Sequence, residues 1–134
     1  MDIAVEVPAR KRILLVDDSA TARLMICIVL QGEPYDVLTA SDGVEALDKA
    51  HQNRPDLILL DVIMPLMDGI ETCKRLRGDP LTHATPIIML SGRDDEGITE
   101  ASYAYGCNDF VFKPVDPVEL LAKVHSCLGE WNKS

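Results

Sequence analysis

Apolar residues along this chain gather in short runs of three to five, with helix-length stretches between them. The runs are Ile13-Leu14-Leu15-Val16, Asp36-Val37-Leu38-Thr39-Ala40, Leu57-Ile58-Leu59-Leu60, Ile87-Ile88-Met89-Leu90 and Phe110-Val111-Phe112. A strand covered on both faces loses the alternation of apolar and polar positions, so such runs predict buried parallel strands. The order is β-α five times, and right-handed crossovers then predict a doubly wound α/β sandwich of three layers.

Helix starts carry clear punctuation. Asp42-Gly43-Val44-Glu45, Asp68-Gly69-Ile70-Glu71 and Asp116-Pro117-Val118-Glu119 each place a side-chain acceptor at the cap and a Glu three residues on. Pro117 falls at the first helical position, where its missing N–H costs nothing. The first helix should follow Asp18-Ser19 and bury a face that includes Ala20, Leu24 and Ile28, spaced by four. Another is expected from about Asp94-Asp95 to Tyr105, with Gly106 as its stop. The connection from Arg77 to Pro86 is the longest, yet too short for a domain linker. The expected layout is a lead-in over 1–11, one domain over 12–128 and a tail over 129–134, with no output domain in so short a tail.

A length of 134 residues allows one domain with its own core. The formal net charge of −9 opposes attraction to nucleic acid or anionic lipid, so neither is expected as a direct partner. The stretch from Leu24 to Leu30 is far short of the ~20 residues of a membrane helix, and residues 1–12 lack the apolar segment of a secretory signal. A cytoplasmic location is the default expectation. Cys27, Cys73, Cys107 and Cys127 show no metal or redox spacing and read as reduced, mostly buried thiols. His51, His83 and His125 read as surface residues, and Tyr103 and Tyr105 read equally as lining an exposed face or as packing in the core or at its rim.

Four of the five runs end in reactive side chains: Asp17-Asp18, Asp61, Ser91 and Lys113-Pro114. Ligands of open parallel sheets sit beyond the carboxyl ends of the strands, so these residues should share one edge. Three converging carboxylates repel one another unless a cation joins them, and oxygen ligands of this kind suit Mg²⁺. A carboxylate can attack a phosphoryl group, with the charge on its oxygens met by a metal ion, Lys113 and Ser91. Asp61, ending the central strand, is the expected nucleophile.

These residues, with Met64-Pro65-Leu66-Met67-Asp68-Gly69 after Asp61 and Gly92 after Ser91, resemble a response-regulator receiver domain of the two-component signalling family over residues 12–128. The resemblance implies a flavodoxin-like fold with sheet order 2-1-3-4-5. It implies phosphorylation of Asp61 by a phosphohistidine on a sensor histidine kinase or phosphotransfer protein. It implies Mg²⁺ or Mn²⁺ on Asp18, Asp61 and the Ile63 backbone carbonyl, with Asp17 ligating directly or through water. Ser91 matches the hydroxyl of the family's switch and Phe110 its aromatic, which would turn inward on activation. The Lys113-Pro114 bond is typically cis in the family. The face built around the fifth strand and its flanking helices would then address an output partner or domain, as a monomer or a phosphorylation-dependent dimer. The protein would assist its own phosphorylation and dephosphorylation without being a turnover enzyme.

Some positions depart from common relatives. Ile63, two after Asp61, is often polar, and Arg93 lies two after Ser91, so the lifetime of the acyl phosphate is not legible. Val62 stands where some relatives carry Trp, and Trp131 lies in the tail, so tryptophan fluorescence should report metal binding poorly. Two other readings stand beside this one. An aspartate-nucleophile phosphohydrolase needs a second Asp where Ile63 stands, and a phosphorylation-independent pseudo-receiver commonly lacks an acid or the lysine retained here.

Overall fold

A computed structural model describes residues 10–92 and 103–130. Five strands, β1 (Lys11–Val16), β2 (Tyr35–Ala40), β3 (Leu57–Asp61), β4 (Ile87–Gly92) and β5 (Asp109–Lys113), form one parallel sheet in the order β2-β1-β3-β4-β5. Four helices are described: α1 (Ala20–Gln31), α2 (Gly43–Asn53), α3 (Gly69–Gly78) and the C-terminal α4 (Pro117–Cys127). The doubly wound sheet inferred from the apolar runs, and the flavodoxin-like strand order that the resemblance implied, are the observed ones.

The strands are apolar throughout because neighbouring residues serve different cores. Leu14, Val16, Ile58, Leu60, Ile87 and Met89 pack with Ala46 and Ala50 of α2 and Cys73 and Leu76 of α3. Their neighbours Ile13, Leu15, Leu57, Leu59, Ile88 and Leu90 pack with Ile26 and Leu30 of α1 and Leu120 and Val124 of α4. Each such side chain contributes about 1.5–3 kcal/mol over its exposed state. That double core offsets the cost of gathering charges at one edge.

The caps form where expected. Asp42 and Asp68 accept from the N–H groups of Glu45 and Glu71 at 2.8 Å, and Asp116 accepts from Val118, one residue earlier in its helix. Ser19 caps α1 by accepting from Ala22.

The buried face of α1 differs from the expectation. Ala20, Leu24 and Ile28 are exposed, and Ile26 and Leu30 are the buried pair. From Leu24 to Leu30 this helix is apolar on every side, so spacing by four fits Ala22-Ile26-Leu30 as well as Ala20-Leu24-Ile28. Packing against the sheet selects the set with Ile26 and Leu30.

Most of the helix expected from Asp94 lies outside the described residues, as do Arg93 and Trp131. Its end is visible: residues 103–104 are helical, and Gly106, at φ +106°, donates its N–H to the Tyr103 carbonyl. Tyr103 and Tyr105 are exposed. His51 and His83 are also exposed, whereas His125 is half-buried, its Nδ1 3.1 Å from the Tyr35 hydroxyl. All four thiols are free, and burial raises their pKa values, that of Cys107 to about 12. No helix among the described residues is long and apolar enough to cross a membrane.

Candidate functional site

Parallel pairing brings the ends of β1, β3 and β5 to one edge of the sheet, and with them Asp17, Asp18, Asp61 and Lys113. One carboxylate oxygen from each of the three acids lies within 4.8 Å of the others. Asp17 is fully buried, Asp61 nearly so, and Asp18 faces solvent. Lys113 Nζ stands 2.9 Å from Asp17 Oδ2 and 3.4 Å from Asp61 Oδ1.

Asp17 is held on every polar atom. Its N–H donates to the Ala40 carbonyl at 3.1 Å, and Oδ1 accepts the Ser19 N–H at 2.9 Å. Lys113 donates to Oδ2, and the Asp17 carbonyl accepts from Arg23 Nη1 at 2.6 Å. Asp61 stands farther from the ammonium than Asp17 does. Burial and the Asp17 charge push its pKa up to about 7, against the lowering effect of Lys113, and a hydrogen bond with Asp18 adds to the rise. For Lys113, burial works against the ammonium, but hydrogen bonding to Asp17 and the two acidic charges outweigh it and raise the pKa.

The loop after Asp61 folds back tightly. Met67 N–H donates to the Pro65 carbonyl and Gly69 N–H to the Val62 carbonyl at 2.7 Å. Leu66 adopts φ +70°, and its side chain is 97% exposed. A Cβ on Gly69 would lie 2.1 Å from the Asp61 carbonyl oxygen, so this helix start approaches β3 closely only as glycine. The Ile63 side chain is exposed beside the acids.

Ser91 is buried at the end of β4, its Oγ 3.2 Å from the Gly92 carbonyl. Phe110 is on β5 and only 4% exposed, so its ring already occupies the inward position toward which a turn was expected. The register pairs Met89 with Phe110 and Ser91 with Phe112, which places all four on one face of the sheet. The Phe110 and Phe112 rings are 5.0 Å apart. The Lys113–Pro114 peptide bond is cis. The strand ends therefore unite the acids with Lys113, while Phe110 sits three residues down β5, within the core.

Two residues that grip backbone oxygens have no counterpart in the sequence pattern, Arg23 at this edge and Lys123 near the opposite end of β5. Arg23 grips the Asp17 carbonyl, and Lys123 of α4 donates to the Phe110 carbonyl at 2.5 Å while pairing with Asp109 and Glu119. Both bind backbone oxygens, which leave no mark in a side-chain pattern. The available signal for Arg23 was its place one turn beyond the Ser19 cap.

The family model for the response regulator receiver domain matches residues 13–125. The chain belongs to this family. As a receiver domain of a two-component response regulator, it resembles the alkaline phosphatase synthesis transcriptional regulatory protein PhoP of Bacillus subtilis. The two are 44% identical over 118 residues, covering 88% of this chain and 48% of PhoP. The receiver thus spans about half the length of that relative. A putative response regulator from Chloroflexus aurantiacus superposes with a TM-score of 0.87 at 39% identity, covering 90% of this chain and 99% of that one. The receiver domain of the sensor histidine kinase PA1611 from Pseudomonas aeruginosa gives 0.84 at 30% identity, covering 90% and 99%. Its structure is described with a magnesium ion coordinated in the active site cleft.

Proposed function

We propose that this receiver accepts a phosphoryl group on Asp61 from a phosphohistidine of a sensor kinase or phosphotransfer protein, and passes the signal on through protein contacts. The observation that carries this reading is the convergence of Asp17, Asp18 and Asp61 around one point, with the Lys113 ammonium on the same cluster.

The donor set fits a hard divalent cation such as Mg²⁺ or Mn²⁺: three carboxylates, one of them solvent-facing. Asp18 and Asp61 would be the direct ligands together with the Ile63 backbone carbonyl. Asp17, already engaged on both oxygens, would act through water. When bound, the cation supplies positive charge that favours ionised Asp61 and neutralises phosphoryl oxygens.

The chain's own residues carry the rest. An Asp61 oxygen attacks phosphorus, and the P–N bond of the donor breaks. The electron pair of that bond stays on the imidazole nitrogen, which takes a proton from solvent. Lys113 meets the charge on the phosphoryl oxygens, and the Ser91 hydroxyl donates to one of them. Drawing Ser91 toward the phosphoryl group biases the face formed by Ser91, Met89, Phe110 and Phe112 toward the packing with Phe110 inside. This is a shift between two populations rather than a new fold.

Apolar residues surround the approach to the site. Leu24, Met25 and Ile28 of α1 are 60–63% exposed, and a groove of ~210 Å³ beside them is lined by Met25, Val29, Lys113 and Pro114. Leu66 adds an exposed leucine in a backbone conformation that disfavours it. These features support docking of a protein donor rather than reliance on small phosphodonors alone.

Intact mass after incubation with Mg²⁺ and a small acyl phosphate tests the reading, with Asp61→Asn alongside. One phosphoryl adduct in the wild type only, dependent on Mg²⁺, is expected. No adduct at any time down to seconds would replace the proposal with a phosphorylation-independent interaction module. Sustained phosphate-ester turnover would instead favour the hydrolase.

A further inference from the structure

Strand pairing along β1 ends at Val16, opposite Ala40 on β2 and Leu60 on β3. The peptide joining Asp17 to Asp18 is therefore the first beyond the regular ladder, and it sets where both carboxylates point. The Asp17 side of this peptide is fastened by Ala40, Ser19 and Lys113. Its carbonyl lies past the strand partners and takes its hydrogen bond from Arg23 Nη1, reaching back from the first turn of α1 at 2.6 Å. Asp18 is exposed, and its carboxylate meets Asp61 through a hydrogen bond rather than being enclosed by packing. Its aim rests on that bond and on the peptide that precedes it.

We infer that Arg23 is a positioning residue for the acid pair: by holding the Asp17 carbonyl, its guanidinium fixes the peptide that presents Asp18 to a divalent cation. This rests on the reading of the cluster as a cation site given above. Two effects of Arg23 on cation binding have opposite signs. Its charge repels the incoming cation, so deletion would tighten binding by Coulomb's law alone. Its hydrogen bond pre-orients a ligand, so deletion would weaken binding, and the loss of such outer partners typically costs ten- to a hundredfold in metal affinity. The charge is spent on a backbone carbonyl and stands beside solvent, where screening weakens its reach. The orienting effect therefore prevails.

The test is Mg²⁺ titration of the wild type, Arg23→Ala and Arg23→Lys, read by backbone amide resonances of Asp18 and Val62, with urea unfolding as the check of fold. Arg23→Ala is expected to bind Mg²⁺ about tenfold more weakly and to shift the Asp18 amide in the metal-free protein. Arg23→Lys keeps one donor and should recover most of the affinity. Should Arg23→Ala not fold, Arg23→Met keeps the apolar stem and takes its place. Wild-type affinity or tighter binding in the donorless variant overturns this inference alone. Absence of Mg²⁺ binding in the wild type overturns the cation-site reading itself.

Discussion

The Lys113 ammonium is nearer to Asp17, at 2.9 Å, than to Asp61, at 3.4 Å. The lysine is thus anchored mainly by the acid that is fully buried and already pinned, and holds Asp61 at the longer distance. Removing the lysine strands Asp17 without its counter-charge. Breaking a buried pair from one side costs roughly 3–5 kcal/mol, and the partial exposure of Lys113 favours the lower end. Lys113→Met should therefore lose about 3 kcal/mol in metal-free urea unfolding at pH 7, with part of the loss recovered by added Mg²⁺. Unchanged stability would mean that solvent, not Lys113, balances Asp17.

Asp61 makes metal-free stability depend on pH. Its pKa rises from an ordinary 3.8 to about 7 in the fold, through burial first and the Asp17 charge second. Between these values the folded state keeps a proton that the unfolded state has released. The contribution is whole below 3.8 and is lost as pH climbs through about 7. At about 1.4 kcal/mol per unit, the full fall is of order 4–5 kcal/mol. Urea unfolding in a chelator from pH 4 to 8 should show this decline, and Asp61→Asn should flatten it. Saturating Mg²⁺ should also flatten it, by binding the ionised site. A wild-type curve that rises over this range would contradict the predicted protonation.

Two glycines of α3 should respond oppositely to alanine. At Gly69 the added Cβ meets the Asp61 carbonyl at 2.1 Å and the Val62 Cα at 2.8 Å, both backbone atoms that cannot step aside. Gly69→Ala should cost about 2–3 kcal/mol and slow phosphorylation, because the displaced segment carries the acceptor. Gly78, the last helical residue, has open space around its Cβ position. Gly78→Ala should add about 0.5–1 kcal/mol by helix propensity. Thermal unfolding of both, with the rate of acyl phosphate uptake, separates packing from propensity.

What was legible in the sequence follows from where the physics is local. Leu57 to Leu60 could be assigned as a central strand because only a residue run buried on both faces is apolar without interruption. The Asp42, Asp68 and Asp116 caps are one-residue devices that act within their own turns. The sequence does not distinguish the outward face of α1 because Leu24, Met25, Ile26 and Ile28 are interchangeable in a pattern of apolar positions, and only packing against the sheet separates them. Phe110 is of the same kind: a strand aromatic is visible, but its inward packing depends on its pairing with Met89 of the neighbouring strand. Arg23 was invisible because its partner is a carbonyl. The acids and Lys113 were found as strand-terminal residues, yet the preference of Lys113 for Asp17 appears only in three dimensions.

The exposed face of α1 separates two kinds of phosphodonor. Leu24, Met25 and Ile28 turn away from both cores, so polar replacements there remove no buried contact. Surface changes of this type usually stay within about 0.5 kcal/mol. A small acyl phosphate needs only the acid cluster and Lys113, whereas a protein donor must seat its phosphohistidine by covering neighbouring surface. Met25→Lys combined with Ile28→Lys should therefore leave Mg²⁺-dependent phosphorylation by a small donor at wild-type rate. Transfer from a phosphorylated histidine protein should fall by tenfold or more, as expected when central apolar anchors worth over about 1.4 kcal/mol are lost. Rates from the two donors, measured on the same variant, decide the matter. Equal loss with both would place the damage in the site itself, and equal retention would move the docking surface elsewhere on the receiver.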